Sequence, residues 1–304
     1  MVEGGITLHT TKLSKGEKVF QITNYIFLTL LTLLFLIPFI IVLSTSFVTE
    51  QEVARRGSFI LFPEEFSLGA YKMLLSQGSM LINSYKITIF RVVVGTAVNL
   101  LFTSTLAYGL SKKSLPGRNL FITMIFITML INGGLIPNFM LIKALGLYNS
   151  VWVMIIPGAV SAWNMILMRN FFSQLPETLE EAAMLDGATP LQILVKIILP
   201  LSMPIIATIG LFYAVGHWNA WFDASIYIND TNKLPVQVFM RNVILSMSSK
   251  EIDGAVLNEV AGVRPTAETL KSAVIIITTL PILCVYPFIQ KYFVKGIMVG
   301  SIKG

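Results

Sequence analysis

Long apolar runs constrain this chain more than any other feature of its sequence. An apolar α-helix needs about 20 residues to cross the hydrocarbon core of a bilayer. Six segments approach or exceed that length, and we predict each as a membrane-spanning helix: about residues 22–48, 84–110, 120–141, 151–168, 204–228 and 273–289. The sequence therefore predicts an all-α integral membrane protein with about six transmembrane helices.

The composition supports lipid as the solvent for most of the surface. Only 12% of the residues are charged, whereas soluble domains carry about 25%. The net charge of +6 does not indicate a nucleic-acid partner, because the basic residues are scattered through short links between apolar runs. Basic residues in such links typically anchor the ends of transmembrane helices at the membrane surface. We expect membrane lipid as a partner and no nucleic acid.

Side chains that bind metals or act as nucleophiles are scarce. Cys284 is the single cysteine, and His9 and His217 are the only histidines. This excludes a disulfide framework, a cysteine metal site and a zinc site of the HExxH type. We expect no metal, no cofactor and no catalytic residues, so the chain is not predicted to be an enzyme.

Lysines and arginines set the expected orientation. The short link at 112–118 holds three basic residues and no acid, so we place it in the cytoplasm. Alternation then places both termini inside, with residues 1–21 as a cytoplasmic N-terminal segment and 22–304 as the transmembrane domain. Segments 49–83 and 229–272 become extracytoplasmic. The excess of cations inside is slight, so the short link and the C-terminal tail decide the orientation.

Prolines and glycines are expected to interrupt the predicted spans. They are Pro38, the run Asn132-Gly133-Gly134, Pro137, Pro157, Pro281 and Pro287. Backbone groups freed at membrane depth must be satisfied by neighbouring helices, side chains or cavity water. Two interpretations stay open: ordinary kinks in a helix bundle, or breaks that line a path for a solute.

Residues 173–200, between the fourth and fifth predicted spans, predict two short helices joined by a sharp turn. Pro176 suits the first turn of the first helix, where glutamates meet the positive end of the helix dipole. Thr178 and Glu181 have capping-box spacing, which is a competing helix start. Ala182, Ala183 and Leu185 are expected to form a small, smooth face that another protein could approach.

The turn and the second helix also have recognisable signals. Gly187 follows Asp186 at a place where a left-handed residue would end a helix. Thr189-Pro190 then caps and starts a second helix, which we expect to stop at Pro200.

This segment resembles the EAA motif of ABC-importer permeases, EAA-x3-G-x9-I-x-L-P. The matching positions, all at the family's spacing, are Glu181, Ala182, Ala183, Gly187, Ile197, Leu199 and Pro200. The resemblance implies a type I ABC importer permease fold. It also implies a cytoplasmic coupling loop at about 173–200 that docks on an ATPase subunit, with polar contacts from Glu181 and Asp186 and a bend at Gly187.

Three further stretches resemble the maltose-type carbohydrate permeases, in their oligosaccharide and polysaccharide branch. They are the tail at 290–304, the segment 62–71 and the pair Trp218-Asn219. The resemblance implies transport of a carbohydrate across the bacterial cytoplasmic membrane by alternating access. The implied partners are a second homologous permease, two ATP-binding subunits and an extracytoplasmic solute-binding protein. Because the chain has no G-x4-G-K-[ST] sequence, ATP hydrolysis is expected in the partner subunits.

Amides beside indoles within the spans are candidates for a solute path. They are Asn132, Trp163, Asn164, Trp218 and Asn219. Sugars present hydroxyls together with C–H faces, which suits this mixture of side chains. The competing interpretation is interhelical hydrogen bonding with interfacial aromatic anchors.

Charged residues within the spans receive less specific interpretations. Lys86 and Arg91 are expected to extend to the membrane interface. His217 and Asp223 are six residues apart, so on one helix they would not share a face. This spacing argues against a proton relay between the two side chains. A proton- or ion-coupled secondary transporter is therefore kept only as the alternative function. A membrane-embedded enzyme is weaker still, since no nucleophile–base or metal constellation is present.

Overall fold

The computed structural model describes residues 14–57, 59–76, 79–248 and 266–301, with the backbone alone at 50, 247–248 and 286–301. These residues form fourteen α-helices. The helices are α1 Lys15–Thr45, α2 Glu50–Arg56, α3 Gly69–Leu74, α4 Met80–Ser111, α5 Arg118–Leu130, α6 Leu135–Ala144, α7 Ala162–Phe172, α8 Glu177–Leu185, α9 Pro190–Ile193, α10 Leu199–Leu201, α11 Met203–Asn219, α12 Phe222–Tyr227, α13 Val236–Ser248 and α14 Ala267–Ser301. Short 3₁₀ turns at Val151–Met154 and Thr231–Lys233 and a π-helical turn at Leu194–Ile198 complete the described elements.

The chain divides into two compact units. The first comprises Met1–Ala70 with Gly262–Ala273, and the second comprises Tyr71–Ala261 with Val274–Gly304. The expected all-α class is confirmed.

In the first unit, α1 is apolar on all sides. It starts at a capping box, in which the Ser14 hydroxyl accepts from the Glu17 N–H (3.2 Å) and the Glu17 carboxylate accepts from the Ser14 N–H (2.7 Å). Large apolar side chains are exposed around the whole helix, as expected of a span that faces lipid. The helix is continuous through Pro38, so this proline does not interrupt the span as predicted.

A buried carboxylate organises the segment that follows α1. Glu52 on α2 accepts hydrogen bonds from the N–H groups of Glu64 (2.9 and 3.1 Å) and Glu65 (3.1 Å) and from Nη1 of Arg56 (2.6 Å). Burial alone would raise the pKa of Glu52, but the two backbone donors and the Arg56 charge outweigh it and hold the pKa below its ordinary value. Glu52 therefore fixes the stretch at 62–66 on α2.

In the second unit, α4 is the central helix, and its buried face is polar. Buried polar side chains recur about once per turn, at Ser84, Thr88, Arg91, Asn99 and Thr103. Helices α7, α11 and α13 pack against α4. Thr88 Oγ1 accepts from the N–H of Val236 at the start of α13 (2.8 Å), and the Tyr85 hydroxyl donates to the carbonyl of Ile277 (2.6 Å). The polar residues of α4 thus hold its neighbours in place.

Two apolar clusters lie at opposite ends of α4. The loop-end cluster consists of Ala107, Tyr108, Leu110, Met165, Met168, Phe172, Ala183, Ile193, Leu194, Ile198, Ile209 and Tyr213. The far-end cluster consists of Ile142, Val153, Met154, Ala224, Ile228, Leu234 and Val238, with Ile87 of α4 packed against it. The clusters fix the two ends of α4, and the polar groups lie between them.

Several predicted spans are broken rather than continuous. Helices α5 and α6 meet at an angle of 117°, and Pro190–Leu201 meets α11 at 87°. The predicted span at 151–168 is not one helix, because a 3₁₀ turn ends before Pro157 and α7 starts only after the Ser161 cap. Proline lacks the N–H that a continuing helix needs, so the helix restarts beyond it.

Length and composition identify the membrane-spanning candidates among the described residues. Three continuous helices are long and apolar enough to cross a membrane: Lys15–Thr45, Met80–Ser111 and Ala267–Val285. The number rises to five if each bent pair is one span. Each of the six predicted segments contains helix, and α14 runs through Pro281 and Pro287 without the predicted interruption.

Candidate functional site

The loop between α7 and α11 forms the two-helix turn that the sequence predicts. Helix α8 ends at Leu185, and Gly187 takes the left-handed conformation (φ +81°). The Gly187 N–H donates to the carbonyl of Met184 (3.0 Å) and the Ala188 N–H to that of Ala183 (2.9 Å), which is the Schellman arrangement of a helix C-terminus. A left-handed residue with a side chain costs about 1–2 kcal/mol. The turn therefore depends on glycine at 187.

Both helices of the loop start at recognisable caps. Pro176 is itself the N-cap of α8, so the competing start at Thr178 and Glu181 does not form. The Thr189 hydroxyl accepts from the Gln192 N–H (3.4 Å), while the Thr189 N–H donates to the Gln192 side chain (2.8 Å). This reciprocal pair is a capping box that starts the second helix.

The two faces of α8 have different surroundings. Glu181, Ala182 and Asp186 are exposed, and Leu185 is 90% exposed. Ala183 is buried in the loop-end cluster, so the expectation that it belongs to an exposed small face is wrong. Neighbouring helical residues point about 100° apart, which turns Ala183 into the loop-end cluster while Ala182 stays outside. An exposed leucine among carboxylates is a surface that suits protein docking.

Two ion pairs tie α8 to the end of α4. Buried Glu180 is paired with Lys112, whose ammonium also lies 4.2 Å from the centre of the Tyr108 ring, and the Tyr108 hydroxyl donates to Glu180 (3.4 Å). Exposed Glu177 pairs with Lys113 (2.9 Å), and the hydrogen bond and charge of Lys113 lower the pKa of Glu177. Sequence analysis missed both pairs, because the partners are about 65 residues apart in the chain and no spacing pattern joins them.

The second half of the loop continues further than predicted. The Leu199 N–H bonds to the carbonyl of Leu194, one residue beyond the usual helical partner, and this π-helical turn admits Pro200 without a break. The helix stops at Leu201 instead of at Pro200. Ile197 and Leu199 pack against the loop-end cluster, and Pro200 is exposed. The isoleucine, leucine and proline of the motif therefore shape and anchor the helix.

A buried polar network crosses the middle of the second unit. Arg91 is only 2% exposed, and its guanidinium donates two hydrogen bonds to the Asp223 carboxylate and one to the carbonyl of Ala220 (3.2 Å). Its Nε donates to Nδ1 of His217 (3.4 Å). The expectation that Arg91 extends to the interface is wrong. His217 and Asp223 both reach Arg91 because the helix breaks at Ala220.

The network continues to a second break. His217 Nε2 lies 2.6 Å from Asn99 Oδ1, and Asn99 Nδ2 donates to the carbonyls of Gly158 (2.7 Å) and Ala159 (2.9 Å). With Nδ1 accepting from Arg91, the histidine proton lies on Nε2 and is donated to Asn99. These side chains satisfy carbonyls that the broken helices leave free, as lipid requires. At these two breaks, neighbouring side chains satisfy the backbone.

The predicted solute-path residues near the first two breaks differ in exposure. Asn132 is exposed at the bend between α5 and α6, where its Oδ1 accepts from the Gly134 N–H (2.9 Å). Trp163 is exposed at the start of α7, whereas Asn164 beside it is buried. The two members of this pair therefore have different surroundings.

The pair in α11 has one feature of a binding group. Asn219 is exposed at the end of the helix, and the Trp218 ring lies 6.4 Å from that of Tyr85 between centroids. Trp218 Nε1 is buried and has no hydrogen-bond partner in the described part of the chain. No hydrogen bond or ring contact between described residues joins this pair to Trp163 and Asn164, so a shared cavity stays a prediction.

Broken apolar helices around a polar central helix, with a tethered two-helix loop at one end, are the arrangement of an ABC-importer permease. Residues 5–299 match the family described as "Binding-protein-dependent transport system inner membrane component", and the chain belongs to that family. It is therefore a translocation component that works with the other subunits of an ABC importer.

Individual relatives cover nearly the whole chain. It is 44% identical to the protein LplC of Bacillus subtilis over 98% of this chain and 99% of that protein. It is also 44% identical to the polygalacturonan/rhamnogalacturonan transport system permease protein YtcP of the same organism, over 95% and 99%. A solved bacterial ABC transporter involved in the import of the acidic polysaccharide alginate has a similar chain, with a TM-score of 0.85 and 35% identity over 93% of this chain and 100% of that one.

Proposed function

We propose that this chain is a permease subunit that carries an oligosaccharide across the bacterial cytoplasmic membrane in an ATP-driven importer. The observation that carries the proposal is the loop at 173–200. It presents Glu181, Leu185 and Asp186 to a partner while Glu180 ties it to α4. The carbohydrate class is supported by the names of the relatives, which refer to polygalacturonan, rhamnogalacturonan and alginate transport.

The proposed assembly contains a second similar permease, two ATP-binding subunits and an extracytoplasmic solute-binding protein. In the proposed orientation both termini lie in the cytoplasm, on the same side as the coupling loop. Segments 49–83 and 229–272 would then face the binding protein, although residues 249–265 of the second segment lie outside the described residues. Residues 1–21 and 22–304 keep their predicted roles as cytoplasmic segment and permease domain.

Coupling would proceed through the tethered loop. Closure of the ATPase dimer displaces the exposed face of α8, and the Glu180–Lys112 pair passes that displacement to α4. Because α7, α11 and α13 pack against α4, they follow its movement and open the cavity to the other side of the membrane. The ATP itself is hydrolysed in the partner subunits.

A solute path would use the exposed amides and the indoles near the helix breaks. Asn219 and Asn132 can bind sugar hydroxyls, and Trp163 offers a flat face for stacking. The buried Trp218 Nε1 needs an acceptor, which a solute hydroxyl would supply. We expect Trp218→Ala to lower transport by the importer while complex assembly and basal ATPase activity stay normal. Loss of a packing residue would instead lower transport, assembly and ATPase activity together.

The loop is tested by two substitutions at one position. Gly187→Val places a β-branched residue at φ +81° and should cost about 1–2 kcal/mol, whereas Gly187→Asn tolerates the left-handed backbone. In proteoliposomes that contain the whole importer and its binding protein, we expect Gly187→Val to lose most ATP-driven uptake, through weakened ATPase docking or uncoupled hydrolysis. Gly187→Asn should retain most of it. Equal uptake by the two variants would contradict a coupling role for this turn.

The same proteoliposome uptake assay distinguishes ATP-driven import from the alternative function. A proton- or ion-coupled secondary transporter would lose uptake when an uncoupler collapses the gradient while ATP remains high. We expect uptake to persist under these conditions and to stop when ATP is replaced by a non-hydrolysable analogue.

A further inference from the structure

Among the described residues of the second unit, cations outnumber carboxylates at the end away from the coupling loop; Glu251, Asp253 and Glu259 follow in the segment that lies outside the described residues. Between residues 71 and 248 the acids are four in the loop at 173–200 and, beyond it, only Asp223 and Asp230. Both of these carboxylates are already paired, Asp223 with Arg91 and Asp230 with Lys233 (3.4 Å). Other cations near this end have no carboxylate partner among the described residues. In the proposed orientation this end is extracytoplasmic, and the positive-inside rule favours cations on the cytoplasmic side only. The cations at this end therefore need another explanation.

Arg241 is the one of these cations that the structure holds in a defined position. Its guanidinium carbon lies 3.9 Å from the centre of the Trp221 ring, and the residue is exposed. Trp221 in turn packs edge-on against Phe222, with 5.6 Å between the ring centroids. The indole therefore fixes the plane of the guanidinium, and the described residues provide no acceptor for its N–H groups.

Helix α13, which carries Arg241, is itself anchored. Val236 at its start donates to Thr88 (2.8 Å), Val238 is buried in the far-end cluster, and Met240 accepts from the Thr278 hydroxyl (3.1 Å). These contacts lie within five residues of Arg241, so its backbone is fixed on three sides. A planar guanidinium on a fixed backbone loses little freedom when it binds an anion.

The position of Trp221 places this guanidinium beside the proposed solute path. Trp221 lies in the break between α11 and α12, two residues after the exposed amide of Asn219. The same break contains Ala220, whose carbonyl is held by Arg91 (3.2 Å). A guanidinium fork without an acceptor among the described residues and an exposed amide thus flank one fixed helix break.

We propose that Arg241 binds a carboxylate of the transported solute, and that the solute is an oligosaccharide of uronic acids. This inference rests on the proposed function and names its substrate class. A guanidinium fork recognises a carboxylate with two parallel charge-assisted hydrogen bonds, and a neutral sugar has no charged acceptor for them. The neighbouring amide of Asn219 serves the hydroxyls of the same sugar, so that charge and hydroxyls are recognised at the same helix break.

The experiment measures equilibrium binding of radiolabelled trigalacturonate and of its trimethyl ester to the purified, detergent-solubilised importer. The two trisaccharides have the same sugar rings and differ at the carboxyl groups, where the ester replaces each negative charge with a methyl ester. Arg241→Gln should weaken binding of the acid at least about tenfold and leave binding of the ester unchanged. Arg241→Lys keeps the charge without the fork and should give an intermediate loss. Lys143→Gln removes a cation near the same end and should change neither affinity.

Other outcomes overturn the inference. They are equal affinity of the unaltered importer for acid and ester, no effect of Arg241→Gln, or an equal loss for both sugars, which would mark Arg241 as a packing or lipid-headgroup residue. Basal ATPase activity, measured on the same samples, shows that the variant complex is intact. ATP-driven uptake of a neutral oligosaccharide without binding of trigalacturonate would sink this inference and leave the proposed function standing. Absence of ATP-driven uptake of any carbohydrate would remove both.

Discussion

At the residue scale, the Arg91–Asp223 pair is the most consequential arrangement in the chain. A buried ion pair contributes little net stability, because desolvation of the two charges offsets their attraction. Removal of one partner is different, since it leaves the other charge buried and uncompensated. The pair also holds the Ala220 carbonyl, so the break between α11 and α12 depends on it.

Asp223→Asn is therefore expected to destabilise the protein by about 3–5 kcal/mol, because it leaves the Arg91 charge buried. Thermal unfolding of the detergent-solubilised importer measures the loss. Asp230→Asn is the matched control, since its pair with Lys233 is more than one-third exposed on both sides and is screened by solvent, so its loss should change stability little. The double variant Arg91→Met/Asp223→Asn should recover much of the loss. Similar melting temperatures for Asp223→Asn and Asp230→Asn would count against this account.

Single residues were predictable from sequence where a local rule applies. The left-handed turn at Gly187 and the capping role of Thr189 depend on neighbours in the chain, and both were predicted correctly. The burial of Arg91 and Ala183 depends on segments far away in sequence, and both were misplaced. The stripe of polar residues on α4 was the available signal for Arg91, because a span with Ser84, Thr88, Arg91, Asn99 and Thr103 on one face cannot turn that face to lipid.

At the scale of elements, the approach of α4 and α11 depends on a glycine. A Cβ built on Gly95 would lie 2.5 Å from Nε2 of His217, closer than packed atoms permit. The histidine can occupy this place, and reach Asn99, only because residue 95 has no side chain. The contact of these two helices is therefore both a packing contact and a link in the polar network.

Gly95→Ala should displace His217, break its hydrogen bond with Asn99 and cost about 1–3 kcal/mol by overpacking. Gly109→Ala on the same helix is the control. No atom lies within 4 Å of its added methyl group, and alanine favours a helix over glycine by about 0.5–1 kcal/mol. Thermal unfolding should thus move in opposite directions for the two variants. A shift in the same direction would show that the approach of α4 and α11 is not limiting.

Helical segments were predicted better in location than in continuity. Apolar length located helix in all six predicted segments, but the effect of each proline depended on its surroundings. Pro38, Pro281 and Pro287 lie inside continuous helices, whereas the segment around Pro157 leaves the helix and gives its carbonyls to Asn99. Whether a proline ends a helix depends on a donor from elsewhere in the fold, which the local sequence does not contain.

At the scale of the whole molecule, orientation in the membrane is a direct test of the proposed topology. Cys284 is first replaced by serine, because it is exposed. In that background, single cysteines at Ser114 and Thr231, both exposed positions, report the two sides of the bilayer. A membrane-impermeant maleimide applied to intact cells should label Thr231→Cys, and Ser114→Cys only after permeabilisation. Labelling of both from one side would refute the proposed orientation.

The overall class followed from the sequence because apolar length and a loop motif are local properties. Neither the two apolar clusters nor the polar network between them could be predicted, since both join residues from segments far apart in the chain. The candidate solute path illustrates the same limit. Its residues were chosen by chemical type, and the structure places Asn164 inside and Trp163 outside on adjacent positions of one helix.

The absence of proline from α4 makes this helix a lever. Its 32 residues form one uninterrupted rod, which at 1.5 Å per residue is about 48 Å long. One end is held by Glu180 of the loop and the other by the far-end cluster. If the loop end is the fulcrum, a tilt of only about 10° moves the opposite end by about 8 Å, more than the width of a sugar ring. A small rotation imposed at the loop end of α4 is thus large enough to open or close a passage at the opposite end of the helix.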